Sequence, residues 1–190
     1  MGIGGSIFLG LVVLALLYAV FLYNSLVELK NHVTKAWANI DVVLKQRHDE
    51  LPKLVEVCKQ YKQFEQSTLA QVIAARNQVQ TARESGNLHA LGSAEGALRG
   101  GLGQIFAVAE AYPELRANEH FMQLQARISQ LENAISDRRE FYNDAVNINN
   151  IRIEQFPGSL VAGLFKFRPA TLLVFGTNEK ADVDVKALFG

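Results

Sequence analysis

The histidines of this chain are the first residues to test for metal chemistry. There are four, His32, His48, His89 and His120, and they are scattered along the sequence. A di-iron site in a helical bundle needs Glu-x-x-His pairs, and the sequence contains none. The run His48-Asp49-Glu50 has the right ligand types, but consecutive helical residues do not face each other, so we interpret it as a solvated helix junction. We expect no metal and no cofactor.

Nucleophilic chemistry has little support. Cys58 lies between Val55 and Tyr61 on an apolar helical stripe, where a free cysteine behaves as a small hydrophobic residue. The sequence has no glycine-flanked serine elbow. Its run Gly100-Gly101-Leu102-Gly103 lacks the lysine that follows a phosphate-binding loop. The chain is therefore predicted not to be an enzyme.

Charged residues on apolar stripes are the sharpest remaining feature. Four of them interrupt apolar runs: Asp41, Glu65, Arg76 and Arg138. Buried charges must be paired, so we predict a buried polar network that fixes the register of packed helices. The alternative is a ligand-binding cleft, and with it a hydrolase or redox site among Asp41, Glu65 and Arg138.

The element that must position these residues begins with the apolar run Ile3 to Tyr23. It carries no charge and would span about 31 Å as a helix, which matches the hydrocarbon core of a bilayer. A cleaved signal peptide would have a basic residue before a shorter apolar core, and neither is present. We predict one transmembrane helix. Lys30 and Lys35 follow it closely, which places the amino terminus outside and the remaining chain in the cytoplasm.

Gly2, Ser6 and Gly10 recur every four residues along one face of this span, and Ala15 and Ala19 continue the spacing further along. Such a face lets two membrane helices approach closely, so we expect a homo-oligomer. The alternative is that glycine and alanine are simply common in membrane helices.

Apolar periodicity after the span predicts four helices. The first continues from the span to about His48, and Asp49 caps a second that contains Pro52 and stops at Ser85-Gly86-Asn87. The third runs from Leu88 to Tyr112 and the fourth from Ala117 to Gln155. Short connections make this an antiparallel four-helix bundle, so the predicted class is all-α. The predicted regions are a transmembrane helix at 1–24, the bundle at 25–156 and a membrane-proximal segment with a short irregular tail at 157–190.

Glycines are frequent in the third predicted helix, where each costs about 1 kcal/mol relative to alanine. Tertiary contacts must compensate for this cost. Matching distances from the membrane places Trp37 and Tyr61 level with Gly100 and Gly101, so we predict large-to-small packing there.

Because the helices alternate in direction, the end of the fourth should return to the bilayer. The segment that follows combines apolar and basic residues typical of an interfacial anchor: Leu160, Leu164, Phe165, Lys166, Phe167 and Arg168. The alternative is a short tail packed on the bundle. Beyond Pro169, the apolar run Thr171 to Phe175 and the polar run Thr177 to Asp184 predict an extended tail.

Three separated stretches resemble the LemA family. They are YNSLVELKNHVTKAWANIDVVLKQRHDELPKLVEVCKQY from Tyr23, FAVAEAYPELRANEHFMQLQ from Phe106 and REFYNDAVNINNIRIEQFPGSLVAGLF from Arg139. The resemblance implies a bacterial protein with an amino-terminal membrane helix and a helical bundle, hence the bacterial plasma membrane. It implies no particular biochemical activity.

The balance of charges limits the classes of partner that the protein is expected to bind. Lysine plus arginine and aspartate plus glutamate number 19 each, so no basic field favours nucleic acid. We expect membrane lipids as partners, together with an unidentified protein. The first hypothesis is a non-enzymatic, self-assembling scaffold at the membrane. The second is a protein- or lipid-binding adaptor that uses the membrane-proximal end.

Overall fold

The computed structural model describes residues 2–61 and 64–175. Within these ranges there are six helices and no strand: α1 Ile3–Lys59, α2 Gln66–Glu84, α3 Leu88–Ala109, α4 Pro113–Arg116, α5 Glu119–Glu154 and α6 Gly158–Leu164. The predicted all-α class with a long apolar amino-terminal helix is confirmed. The predicted polar tail, Thr177 to Asp184, lies outside the described residues.

The chain forms two compact units. The first unit contains, of the described residues, 2–42 and 136–172, and the second contains 43–61, 64–135 and 173–175. The region boundaries at residues 24 and 156 that were drawn from the sequence stay a prediction.

Pro52 does not start a new helix. The predicted helix end near His48 is wrong, because α1 continues through Pro52 to Lys59. A proline inside a helix leaves the carbonyl four residues earlier without its usual donor. Here that carbonyl belongs to His48, and Arg76 Nε of α2 donates to it at 3.0 Å. A tertiary hydrogen bond thus replaces the missing helical one.

The chain direction is interrupted not near His48 but about ten residues later, after the end of α1. After Lys59 the backbone tightens, with the Tyr61 amide donating to the Cys58 carbonyl at 3.1 Å, and α2 begins at Gln66. Phe64 in this connection is buried and packs against Tyr112, with ring centroids 5.8 Å apart. An aromatic contact therefore holds the interruption in place.

The predicted stop at Ser85-Gly86-Asn87 is confirmed. Gly86 adopts a φ of 66°, and the amides of Gly86 and Asn87 donate back to the carbonyls of Arg83 and Ala82. This pair of capping bonds is common where glycine takes the left-handed conformation after a helix. The Asn87 side chain then caps α3 by accepting from the Ala90 amide at 3.0 Å.

Two glycines of α3 make the close contacts that the sequence predicts, but with other partners. A Cβ on Gly101 would lie 2.9 Å from Cγ2 of Val72, and one on Gly92 would lie 1.9 Å from the Val174 carbonyl oxygen. Gly100 is exposed and has nothing within 4 Å of its Cβ position. The predicted pairing with Trp37 and Tyr61 is wrong, since the neighbours are an α2 side chain and the backbone of a distant segment.

The core of the first unit joins α1, α5 and α6. Leu22 and Leu26 of α1 pack against Val161 and Ala162 of α6. Further along, Trp37 contacts the buried ring of Tyr142 on α5, with centroids 5.7 Å apart. The carboxyl end of the apolar run is therefore the part of α1 that α6 covers.

Candidate membrane-contact site

The amino-terminal part of α1 has the properties of a membrane span. Among the described residues, α1 is the one helix that is long and apolar enough to cross a bilayer. Large apolar side chains along it face outward, including Phe8 at 69% and Phe21 at 67% exposure. Of the small residues singled out in this span, Gly2, Ser6, Gly10 and Ala15 are exposed and Ala19 is half-buried. Residues 3–23 are the candidate span.

Helix α6 lies against the end of this span. Its inner face, Val161 and Ala162, is buried on α1, whereas Leu160 and Leu164 are 66% and 76% exposed. Phe156, just before α6, is 80% exposed. This seven-residue helix packs one face on α1, and its exposed face adds apolar side chains next to those of the span.

The turn after α6 has a strained residue. Lys166 has a φ of 57°, which side chains with a Cβ rarely adopt. The Lys166 and Phe167 amides donate back to the carbonyls of Gly163 and Ala162, at 3.3 and 2.9 Å. This is the arrangement in which Gly86 follows α2, but here a lysine occupies the position that usually takes glycine.

The segment after this turn is fixed to its own unit by three groups of contacts. Tyr23 packs against Phe165 and Phe167, with ring centroids 4.7 and 5.8 Å apart. Asn150 bonds both the amide and the carbonyl of Ala170, at 2.8 and 2.9 Å. Tyr142 donates its hydroxyl to the Thr171 carbonyl at 2.8 Å. These contacts order the chain from α6 to Thr171.

A cavity of about 670 Å³ lies between α1, α5 and this segment. Its lining residues are Tyr23, Val27, Lys30, Asn31, Val33, Thr34, Asn149 and the run 165–170. No aspartate or glutamate is among the described residues that line it, whereas three of them are basic. The predicted contact residues Lys166, Phe167 and Arg168 are therefore part of a cavity as well as of a surface.

The buried charges are not the predicted ones. Arg47 and Glu95, each 1% exposed, form an ion pair with Nη2 and Oε1 2.5 Å apart, and Nη1 of Arg47 bonds Glu132 at the same distance. Burial raises the pKa of the Glu95 carboxyl, although the Arg47 guanidinium pulls it downwards. Burial alone would lower the pKa of Arg47, but the two carboxylates outweigh the effect of burial, so the pKa is raised. The cluster ties α1, α3 and α5 together inside the second unit.

The four residues predicted to form a buried network are not fully buried. Glu65 is exposed and accepts from the Thr68 hydroxyl at 2.9 Å. Arg76 bonds His48 as described, and Arg138 donates to the Asn39 carbonyl at 3.2 Å. Asp41 is half-buried. Glu65 faces solvent and the other three side chains are half-buried, so the predicted burial is wrong for this set.

Metal and thiol chemistry find no support in the described part of the chain. Residues 2–61 and 64–175 contain no group of three or more His, Cys, Asp or Glu side chains placed to hold a metal ion. Cys58 is buried, and burial raises the pKa of its thiol to about 12, so at neutral pH the thiolate is a negligible fraction.

Comparison with known proteins identifies the family. The sequence model of the LemA family matches residues 36–187, which is most of the chain. The chain belongs to the LemA family. The protein named Protein LemA of Metamycoplasma hominis is 26% identical over 166 residues, covering 87% of this chain and 74% of the relative.

Two further relatives are the magnetosome proteins MamQ 1 and MamQ 2 of Paramagnetospirillum magneticum. Each is 23% identical over 171 residues, and the match covers 78% of this chain. The chain spans 63% of the length of these relatives. Neither the LemA family description nor the relatives' names state a reaction. Family membership agrees with a membrane-associated helical protein.

The sequence did contain a signal for the buried cluster of this LemA protein. Arg47 falls on the stripe of Ile40, Leu44 and Leu51, at the helical spacing that also buries those residues. Glu95 shares the Leu91 stripe in the same way. A search for charged residues at stripe positions therefore finds both Arg47 and Glu95. The same search also selects Glu65, which lies at a helix end and is exposed, so spacing alone does not separate buried from exposed charges.

Proposed function

We propose that this protein is a non-enzymatic scaffold of the bacterial plasma membrane, held in the bilayer by α1 and resting on it through α6. Lys30 and Lys35 after the span favour an orientation with the amino terminus outside and the chain that follows the span in the cytoplasm. Membership of the LemA family supports membrane association.

One observation carries this proposal: α6 buries Val161 and Ala162 on the end of the span and leaves Leu160 and Leu164 exposed. Monomeric soluble proteins rarely leave neighbouring large apolar side chains unpartnered. Because α6 lies beside the apolar span, the acyl and headgroup boundary of the bilayer is the environment that fits this face.

A cysteine-scanning experiment tests the α6 contact. We would label Leu164→Cys and Gln78→Cys with an environment-sensitive fluorophore in the full-length protein, reconstituted in vesicles that carry a lipid-bound quencher. Native Cys58 is buried and takes up little label, and the unsubstituted protein measures that background. We expect strong quenching at position 164 and little at position 78, which is exposed on α2. Equal quenching by a water-soluble reagent at both positions would refute the contact.

The scaffold role also requires self-association through the face of the span that carries Gly2, Ser6 and Gly10. Ser6→Cys and Phe8→Cys place a thiol on nearly opposite sides of α1, because two residues rotate a helix by about 200°. In native membranes we expect a bifunctional thiol reagent to crosslink the Ser6→Cys protein and not the Phe8→Cys protein. Equal yields, or no dimer from either variant, would count against assembly by this face.

A second candidate function is a lipid-binding adaptor that uses the membrane-proximal end. The observation that favours it is the cavity beside Tyr23, whose charged lining residues within the described chain are all basic.

A further inference from the structure

We propose that the cavity of the first unit binds the phosphate headgroup of an anionic phospholipid. The inference rests on the proposed membrane placement of α1 and names the ligand at its cytoplasmic end. The site consists of Lys30, Lys166 and Arg168 with the polar side chains between them.

Its position along α1 suits a headgroup. Tyr23 ends the apolar span, and Lys30 follows seven residues later, about 10 Å further along the helix axis. The headgroup layer adds several ångströms beyond the hydrocarbon core on each side of a bilayer. A lysine side chain at residue 30 therefore reaches back into the layer where lipid phosphates lie. A free phosphate would need no such depth, so the position favours a lipid.

The basic residues that line the cavity indicate that its ligand is negatively charged. Lys30, Lys166 and Arg168 all line the cavity and all are exposed, and within residues 2–61 and 64–175 none of them forms an ion pair. Three cations around one cavity repel one another, and an anion placed between them removes that repulsion. Arginine and lysine together suit a phosphate, because one donates in a fork and the other acts as a point charge.

The backbone at Lys166 is the second, independent observation. Glycine fits the left-handed position after a helix without cost, as Gly86 does after α2, yet residue 166 is a lysine at φ 57°. Strained residues cluster at functional sites, where the side chain is needed despite the conformation. The turn directs a cationic side chain to the cavity wall, and the contacts of Phe167 and Ala170 hold it there.

The remaining wall is polar on one side and aromatic on the other. Asn149 on α5 is 3% exposed and lines the cavity together with Thr34 of α1. Tyr23, Phe165 and Phe167 form the aromatic side. Aromatic rings favour the membrane interface, so they suit the glycerol region that lies next to a lipid phosphate.

The position of Lys166 permits a test in which stability and binding change in opposite directions. We would measure retained lipid by native mass spectrometry of the full-length protein in detergent, with phosphatidylglycerol or phosphatidylcholine added. Lys166→Gly should unfold at the same or a higher temperature, because it relieves the left-handed strain. It should nevertheless lose about fivefold in phosphatidylglycerol affinity, the effect of removing one basic charge near an anionic lipid. Lys30→Gln should lose a similar factor.

The matched control is Arg127→Gln, which removes one exposed positive charge from α5 in the second unit. It should leave the preference for phosphatidylglycerol unchanged. An undiminished affinity of Lys166→Gly for phosphatidylglycerol would overturn the proposal. Equal affinity of the natural protein for phosphatidylglycerol and phosphatidylcholine would also overturn it. Competition by free glycerol phosphate as strong as that of the lipid would assign the cavity to a soluble phosphate and also overturn it.

The quenching measurement at position 164 separates this proposal from the one on which it rests. Quenching by the lipid-bound reagent with no effect of Lys166→Gly would reject the headgroup site alone. Exposure of position 164 to water would reject the membrane contact of α6 itself.

Discussion

Arg76 on α2 donates its Nε hydrogen to the carbonyl oxygen of His48 on α1, at 3.0 Å. That carbonyl is the one that Pro52 leaves without a helical donor. The contact explains why α1 runs unbroken to Lys59 across a residue that usually kinks or ends a helix.

Replacement of this arginine should therefore destabilise the second unit. We expect Arg76→Ala to lower the free energy of unfolding by about 1–3 kcal/mol, since it leaves a partly buried carbonyl without a partner. In a Pro52→Ala background the backbone amide restored at position 52 bonds the His48 carbonyl, so the same change should cost less than about 1 kcal/mol. Denaturant-dependent labelling of Cys58, the single cysteine, reports opening of this unit.

Arg127→Ala, an exposed arginine on α5, is the control for loss of a positive charge. If Arg76→Ala costs the same with and without Pro52, the hydrogen bond does not compensate for the proline.

His48 should make stability depend on pH. Burial lowers the pKa of His48, and the Arg76 charge lowers it further, with smaller lowering from Arg83 and Arg47 against an opposing Asp49. The unfolded chain then binds a proton at a pH where the folded chain does not, so stability falls as the pH falls below about 6.5. Above that pH the effect of this group vanishes.

The measurement is the difference in unfolding free energy between the natural protein and His48→Gln, by circular dichroism from pH 5 to pH 8, roughly the range in which histidine titrates. Because both proteins have the same carboxylates, the difference reports the contribution of His48. A difference that does not change with pH would show that His48 titrates alike in both states.

The Arg47 cluster should be costly to break and less costly to remove. Arg47→Met leaves Glu95 buried without its partner, and we expect a loss of about 3–5 kcal/mol in unfolding free energy. Adding Glu95→Leu removes the stranded carboxyl and should recover part of that loss. Glu132→Gln should cost less than Glu95→Gln, because the Glu132 side chain is 20% exposed and that of Glu95 is 1%. Additive effects of the Arg47 and Glu95 changes in Cys58 labelling would contradict the pairing.

Two glycines of α3 should respond in opposite directions to alanine. Gly92→Ala places a Cβ against the Val174 carbonyl, so the segment 173–175 must move, at a cost of about 1–3 kcal/mol. Gly100→Ala meets nothing within 4 Å and should gain about 1 kcal/mol from helix propensity. Thermal unfolding compares them directly, and proteolysis near residue 174 should accelerate in the Gly92 variant alone. Equal thermal stability of the two variants would contradict the close approach.

Local rules predicted the helix ends where local chemistry decides them. The stop at Gly86 and the cap at Asn87 follow from residue types at fixed positions, and the structure has both. The effect of Pro52 does not follow from local rules, because its compensation comes from Arg76, a residue on another helix that no local pattern connects to it.

Tertiary partners limited the site prediction in the same way. The apolar and basic residues after α6 were recognised from composition, but the cavity they line depends on Asn149 and Thr34, which belong to two other helices. Gly92 is small because residue 174, far along the chain, crosses it. Spacing identifies which face of a helix is buried, and it does not identify what covers that face.

The packing of Tyr23 on Phe165 and Phe167 has a consequence for the order of assembly. A ribosome releases α1 first, so the span can enter the bilayer before the residues that cover Leu22 and Leu26 have been synthesised. During that interval lipid or solvent contacts these two leucines, while residues 43–135, most of the second unit, are already available to fold. The first helix to be synthesised thus completes its packing only after the last helix of the first unit has emerged.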